Sequence, residues 1–192
     1  MDPKLHLSPE FQFYLPPLAN GACAAKFHAP PATSETPSAG AQQRDFFRKM
    51  LPHALAAQAL TGVPASVSLA QAALESGWGK HAPGNNFFGI KGTGPAGSQL
   101  LATREFRDGV MVRTHAKFRR YHDPLQSFMD HARVISEGRY LRHAMAHRDD
   151  ARDFVHALQS GKYKYATDPR YAAKVLRIIE THGLQRYDRG AP

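Results

Sequence analysis

A glutamate in the last turn of a predicted helix is the residue of this chain best placed to do chemistry. Glu75 closes the stretch Ala70-Gln-Ala-Ala-Leu-Glu75, and Ser76-Gly77-Trp78-Gly79 follows it. The unpaired carbonyls of a helix C-terminus carry partial negative charge, which disfavours ionising a carboxyl group nearby. Burial against Trp78 acts in the same direction, by desolvation. A carboxylic acid kept protonated near neutral pH can hand its proton to a leaving oxygen, which is general acid catalysis. Taken alone, the fragment reads first as a solvated glutamate on a helix end, and its surroundings must decide.

Those surroundings read as mostly helical. From Gln42, the residues Phe46, Phe47, Met50, Leu51, Ala54, Leu55 and Leu60 recur at helical spacing, with Pro52 a kink or the first turn of a new helix. Gly62 ends that element and Pro64 opens the next. Within 64–77, Val67, Ala70 and Leu74 are expected to face inward. Ser68, Gln71 and Glu75 share an adjacent polar stripe, as the wall of a cleft would require. Residues 81–116 are rich in Gly and Asn. Asp108-Gly109 lies between the alternating runs Leu100–Arg107 and Val110–Phe118, which is a hairpin signal. Helices follow after Pro124, over about 149–159, and over 169–182, the last with Asp168 as its N-cap and Gly183 past its end. Residues 1–41 carry Pro3, Pro9, Pro16, Pro17, Pro30, Pro31 and Pro37 and read as a flexible segment and linker. In that segment Phe11, Phe13, Tyr14 and Leu15 are candidates for a short docking peptide. The domain is expected over 42–187, with 188–192 as a tail.

The bulk numbers narrow the class. A length of 192 residues, 42% hydrophobic and 21% charged, suits one well-cored globular domain. No apolar run reaches the ~20 residues of a membrane span. The N-terminus lacks a basic start followed by an apolar core, so no secretory signal peptide is read. Cys23 is the only cysteine, and His143 and His147 lack a surrounding zinc pattern, so no disulfide, metal or cofactor is expected. A net charge of +9 implies an anionic partner: nucleic acid, a membrane surface or an acidic polymer such as bacterial cell wall. No basic stretch carries interleaved stacking aromatics, which argues against nucleic acid.

Four motifs occur in order: Ala72-Ala-Leu-Glu-Ser-Gly-Trp-Gly79, Asn85-Asn-Phe-Phe-Gly-Ile-Lys91, Phe118-Arg-Arg-Tyr-His-Asp-Pro124 and Tyr165-Ala-Thr-Asp-Pro-Arg-Tyr-Ala172. This series, over about residues 43–184, closely resembles glycoside hydrolase family 73, the glucosaminidases of flagellar hydrolases and bacterial autolysins. The resemblance implies a lysozyme-like α+β fold, mostly α, with a small β-hairpin lobe beside an active-site groove. It also implies cleavage of peptidoglycan between N-acetylglucosamine and N-acetylmuramic acid. On that pattern Glu75 matches the general acid and Glu105 the second acidic residue. Tyr165 and Tyr171 match the tyrosines of the Tyr-Ala-Thr-Asp-Pro motif.

Residue chemistry agrees with this. Glycoside hydrolysis usually needs one protonated carboxyl group and one carboxylate, and their separation decides whether the sugar is inverted or retained. Arg104 and Arg107 flank Glu105 and would keep it ionised; a surface ion pair is the structural alternative. Asp108 is the fallback, and attack by the substrate's own N-acetyl group is a third route. Asn86, Phe87, Phe88 and Gly89 are expected to line the sugar groove, with core packing the alternative for each Phe. Lys91 and Arg119 are expected to meet lactyl or peptide carboxylates. Tyr165 is expected to position water or the acetamido group, Tyr171 to bind substrate, and Trp78 to support the helix end. A non-catalytic wall-binding module of the same fold is the rival reading. The expected partners are peptidoglycan strands and a periplasmic immunity protein, with the enzyme a monomer acting in the periplasm or wall after export by a non-Sec route. The expected role is an antibacterial toxin, with a phage lysis or wall-remodelling enzyme second.

Overall fold

Residues 65–73 contain no charged side chain and nothing larger than Leu or Gln, so a helix built from them can be enclosed on every side. The computed structural model, which describes residues 38–107, 110–138 and 141–188 (backbone alone at 104–107 and 110–111), encloses it. This is helix α2, Ala65–Glu75, in which every residue from Ala65 to Ala73 is buried. It packs against α1 (Ala39–Thr61), α5 (Tyr171–His182) and the 3-10 helix Leu184–Tyr187, and also touches α3 (Pro124–Ser136) and α4 (Ala151–Leu158). Ser68 and Gln71, expected on a polar edge, are fully buried in this core, because the neighbouring helices close over their stripe as well.

Local signals account for most helix ends. Ser38 accepts the Ala41 N–H at 3.3 Å to start α1, inside the stretch read as linker. Asp123 and Asp150 do the same for Gln126 and Asp153 at 2.9 Å, starting α3 and α4. Pro52 neither ends nor restarts α1, which runs through it as one helix. Pro52 lies on the exposed side, where the carbonyl it leaves unpaired can meet water. Helix α5 begins at Tyr171 rather than at Pro169. Asp168 spends its side chain on the turn ahead, accepting the Arg170 N–H at 2.9 Å and pairing with Lys174 at 2.5 Å.

Among the described residues the single sheet is an antiparallel hairpin, β1 (Ser98–Arg107) with β2 (Val110–Arg119), in register from Ser98 opposite Arg119 to Arg107 opposite Val110. That register leaves Asp108-Gly109 as a two-residue connection; those two residues, like residues 1–37 with Cys23 and the aromatic segment, lie outside the described part. The hairpin base is fastened to the body. Arg119 N–H donates to the Ile90 carbonyl at 2.9 Å, and Gln99 reaches the Pro83 carbonyl at 2.5 Å. The Arg119 guanidinium grips both oxygens of Asp130 on α3 at 2.8 and 2.7 Å, and the Tyr121 hydroxyl adds a third bond to the same carboxylate at 2.5 Å.

The buried N-terminus of α2 needs acceptors for its unpaired N–H groups, and Pro64 offers no side-chain oxygen. They come from afar. Gln58 Oε1 accepts the Ala65 N–H at 2.6 Å. Asp188, placed by the sequence in the tail, accepts the Ser66 N–H at 2.8 Å and the Ser66 hydroxyl at 2.6 Å. Burial pushes the Asp188 carboxyl up, against the pull of the Ser66 bonds. We expect Asp188→Ala to lower stability by about 1–2 kcal/mol, as loss of a helix cap does, with Asp188→Asn in between. Urea unfolding measures this; a midpoint unmoved by Asp188→Ala would show that Gln58 suffices.

Candidate active site

The turn that ends α2 sets the position of Glu75, its last helical residue. Ser76 is the C-cap, Gly77 (φ 57°) takes the left-handed conformation, and the Trp78 N–H reaches back to the Ala73 carbonyl at 2.8 Å. That is a Schellman closure, for which glycine carries no steric penalty. Trp78 itself is held at φ 63°, a strained value for a side chain of its size. Edge-on contacts with Phe46, Phe47 and His182, at ring separations of 6.0, 5.4 and 5.4 Å, lock it there. The Ser76 hydroxyl donates to the Ala72 carbonyl at 2.5 Å and accepts the Gly79 N–H at 2.8 Å, tying the turn to the helix. A cavity of about 350 Å³ opens beside this turn, lined by Phe46, Met50, Trp78, Gly79 and Phe87, without including Glu75.

Glu75 keeps partial exposure but is largely desolvated, which raises its carboxyl to about 7. Two effects oppose the rise without overcoming it: a hydrogen bond from Tyr171 and the charge of Lys174. Tyr171, 95% buried on α5, donates to Glu75 Oε1 at 2.8 Å and accepts from Gln71 Nε2 at 3.1 Å. Tyr165 stacks on Tyr171 at 5.3 Å and is edge-on to His131 of α3. His131 in turn lies flat on Phe88 at 3.8 Å. Burial, then the Glu75 charge, pushes both tyrosine hydroxyls well above their ordinary range. Tyr171 therefore donates to Glu75 and keeps its proton. The Tyr165 hydroxyl is buried with no partner at hydrogen-bond geometry among the described residues, although the nearby Tyr171 hydroxyl pulls it slightly down. His131 is fully enclosed, neither ring nitrogen finds a partner among those residues, and burial lowers it to about 3.

The structure thus brings Glu75, Tyr165 and Tyr171 together. It places Glu105 in β1 opposite Val112, with the side chain outside the described part. The residues expected along the groove are otherwise engaged. Asn86 is buried and spends its amide on the Ile90 N–H and carbonyl and the Arg119 carbonyl, at 2.9–3.0 Å. Phe87 and Phe88 pack on Phe46, Phe128 and His131 in the core. Gly89 is buried behind them, Lys91 bridges to Phe118, and Arg119 holds Asp130. Sequence reasoning placed Gln71 on one stripe with Glu75 but gave it no part in the site, and it missed His131. Gln71 stands four residues before Glu75 on one helix, a spacing that signals a shared partner. Among the described residues no three His, Cys, Asp or Glu side chains gather to hold a metal ion, and no helix is long and apolar enough to cross a membrane.

Residues 51–184 match the glucosaminidase family, described as mannosyl-glycoprotein endo-beta-N-acetylglucosaminidase. The peptidoglycan hydrolase FlgJ of Vibrio parahaemolyticus is 35% identical over 154 residues, 76% of this chain and 49% of its own length. The exo-glucosaminidase LytG of Bacillus subtilis is 31% identical over 189 residues, 92% of this chain and 64% of its own length. This chain therefore spans less than two thirds of either relative. The catalytic domain of the autolysin Auto from Listeria monocytogenes superposes with a TM-score of 0.69 at 30% identity, covering 81% of this chain and 91% of that one. The lysozyme-like, mostly helical fold with a small two-stranded sheet is the fold of this chain.

Glu75 and His131 make opposite contributions to stability as pH changes. Glu75 is raised from 4.5 to about 7, so the native state holds the extra proton and stability falls as pH rises across that interval. His131 is lowered from 6.5 to about 3, so the unfolded chain holds the proton and stability falls as pH drops across 6.5 to 3. Between 4.5 and 6.5 the two slopes, each up to ~1.4 kcal/mol per pH unit, oppose one another. Glu75→Gln removes one of them. Its denaturation midpoint, relative to the unsubstituted protein, should therefore climb with pH over 4.5–6.5; parallel curves would refute the buried Glu75 acid.

Proposed function

The chain belongs to glycoside hydrolase family 73, the glucosaminidases, and on that premise we propose that it hydrolyses the β-1,4 bond between N-acetylglucosamine and N-acetylmuramic acid in peptidoglycan. The observation that carries this reading is the Glu75 carboxyl, raised to about 7 and fixed at a helix end by Tyr171. At neutral pH a substantial share of Glu75 is protonated, and the proton passes to the glycosidic oxygen as the carbon–oxygen bond breaks. The carboxylate left behind keeps the Tyr171 hydrogen bond, which stabilises its new charge. Desolvation holds the proton before the step, and the phenol steadies the anion after it.

Glu105 is proposed as the second carboxylate, presented by a hairpin that the Arg119–Asp130 pair fastens to α3. It would activate water, or attack the anomeric carbon, from the opposite wall of the groove. Tyr165 and Tyr171 act by shaping the pocket around Glu75. Asn86, Phe87, Phe88 and Gly89 contribute by building the loop that backs the site. Lys91 meets carboxylates of the wall polymer. The wall-directed chemistry supports a role as an antibacterial effector with a cognate immunity protein; its measure is lysis of cells when the enzyme is directed to the periplasm, and relief by a neighbouring gene product.

The test is digestion of purified peptidoglycan, borohydride reduction and mass spectrometry of the fragments. New reducing-end N-acetylglucosamine is expected, with kcat falling as pH rises through about 7. Glu75→Gln should lower kcat on the order of 10²–10⁴-fold. Reducing-end N-acetylmuramic acid would overturn the bond assignment. Wall binding without cleavage by the unsubstituted protein would leave a binding module.

A further inference from the structure

Tyr171 lies between two side chains of α2 one helical turn apart, 3.1 Å from Gln71 Nε2 and 2.8 Å from Glu75 Oε1. A phenol has a single proton to give. Gln71 donates to the Tyr171 oxygen, so the Tyr171 proton is committed to Glu75 Oε1. We propose that Gln71 is a positioning residue whose amide makes Glu75 carry its acid proton on Oε2. The inference rests on the general-acid reading of Glu75 and adds a residue that acts through Tyr171 without touching substrate.

A neutral carboxyl group has one proton and two oxygens. With Oε1 held as an acceptor, the proton belongs on Oε2, which takes no hydrogen bond from a described residue and so remains for an incoming glycosidic oxygen. The reversed chain is chemically complete as well. If Gln71 turned its carbonyl to Tyr171, the phenol would donate to Gln71 and accept from Glu75 Oε1–H. The acid proton would then point into the core. The direction of one buried amide separates a donor aimed at substrate from one aimed at Tyr171.

The burial of Gln71 supports a specific role. It is enclosed in a helix that, apart from Glu75 at its end, is built from small and aliphatic residues, and its Oε1 has no partner among the described residues. An orphaned buried carbonyl costs stability, and a Met of similar shape would be easier to enclose. The nearby groups do not replace it. Lys174 on α5 is held by Asp168 at 2.5 Å, and Tyr165 lies outside hydrogen-bond geometry. His131 on α3 is neutral and stands behind Tyr165, and Tyr171 is itself the group being oriented. The Glu105 side chain on the hairpin lies outside the described part.

Gln71→Met, Gln71→Glu, Tyr171→Phe and the Gln71→Met/Tyr171→Phe double variant test this with two readouts. In Gln71→Met we expect kcat to fall about tenfold with KM within about twofold, because a mispointed acid slows chemistry rather than binding. The basic limb of its pH profile should rise by about half a unit, since Tyr171 then donates less well to the carboxylate that desolvation opposes. The same change should add nothing on top of Tyr171→Phe. Gln71→Glu, which can donate to Tyr171 only while protonated, should approach normal kcat at acid pH and lose it as pH rises. Carbon-13 NMR titration of Glu75 in the free protein should report the same upward displacement in Gln71→Met, independent of turnover. An unmoved Glu75 titration in Gln71→Met, or effects that add fully in the double variant, would overturn the proposal. An inactive unsubstituted protein would instead sink the hydrolase reading, while the NMR titration still decides the role of Gln71.

Discussion

The hydroxyl of Tyr171, 2.8 Å from Glu75 and 96 residues away along the chain, is the contact on which the site depends. Desolvation alone would leave a neutral acid that resists becoming an anion. A strong ion pair would leave an anion that resists holding a proton. The phenol lies between those limits: it donates one hydrogen bond and, pushed well above its ordinary range by burial, does not surrender its proton. Desolvation is the larger effect, and the carboxyl settles at about 7, where both protonation states are accessible.

That contact requires α2 and α5 to meet at a fixed depth, and the architecture follows from the requirement. Helix α2 is enclosed by its neighbours and closed at one end by a Schellman turn and at the other by acceptors from Gln58 and Asp188. The other proposed wall of the groove is different in kind, a hairpin attached at its base through a few backbone bonds and the Arg119–Asp130–Tyr121 cluster. Glu75 therefore sits on a helix enclosed by its neighbours, and Glu105 on a hairpin joined to the body at its base.

Most of this was legible in the sequence where a short-range signal exists. Asp123 and Asp150 cap helices, Gly62 and Gly183 end them in the left-handed conformation, and the strands align to leave Asp108-Gly109 between them. Long-range competition hid the rest. Residue type alone could not show that Asn86 would spend its amide on loop backbone, or that Phe88 would lie against His131 rather than face a groove. Pro52 reads as a break, but an exposed position lets the helix pass through it. Asp168 reads as a helix cap, but Lys174 and the Arg170 N–H hold it in the preceding turn. The capping of α2 by Asp188 crosses 122 residues, and no local rule could find it.

That last link bears on how the protein is made. The helix that carries Glu75 gains its cap from a residue that leaves the ribosome long after it, roughly 6–24 s later at ordinary synthesis rates. Tyr171, which sets the acid, also arrives late. Until both have emerged, α2 lacks its cap and its proton-tuning partner, and the contacts that complete it close very long loops. A nascent chain that has not yet reached Asp188 thus carries the Glu75 motif without the surroundings that hold its proton, which form only once residues 171–188 have emerged.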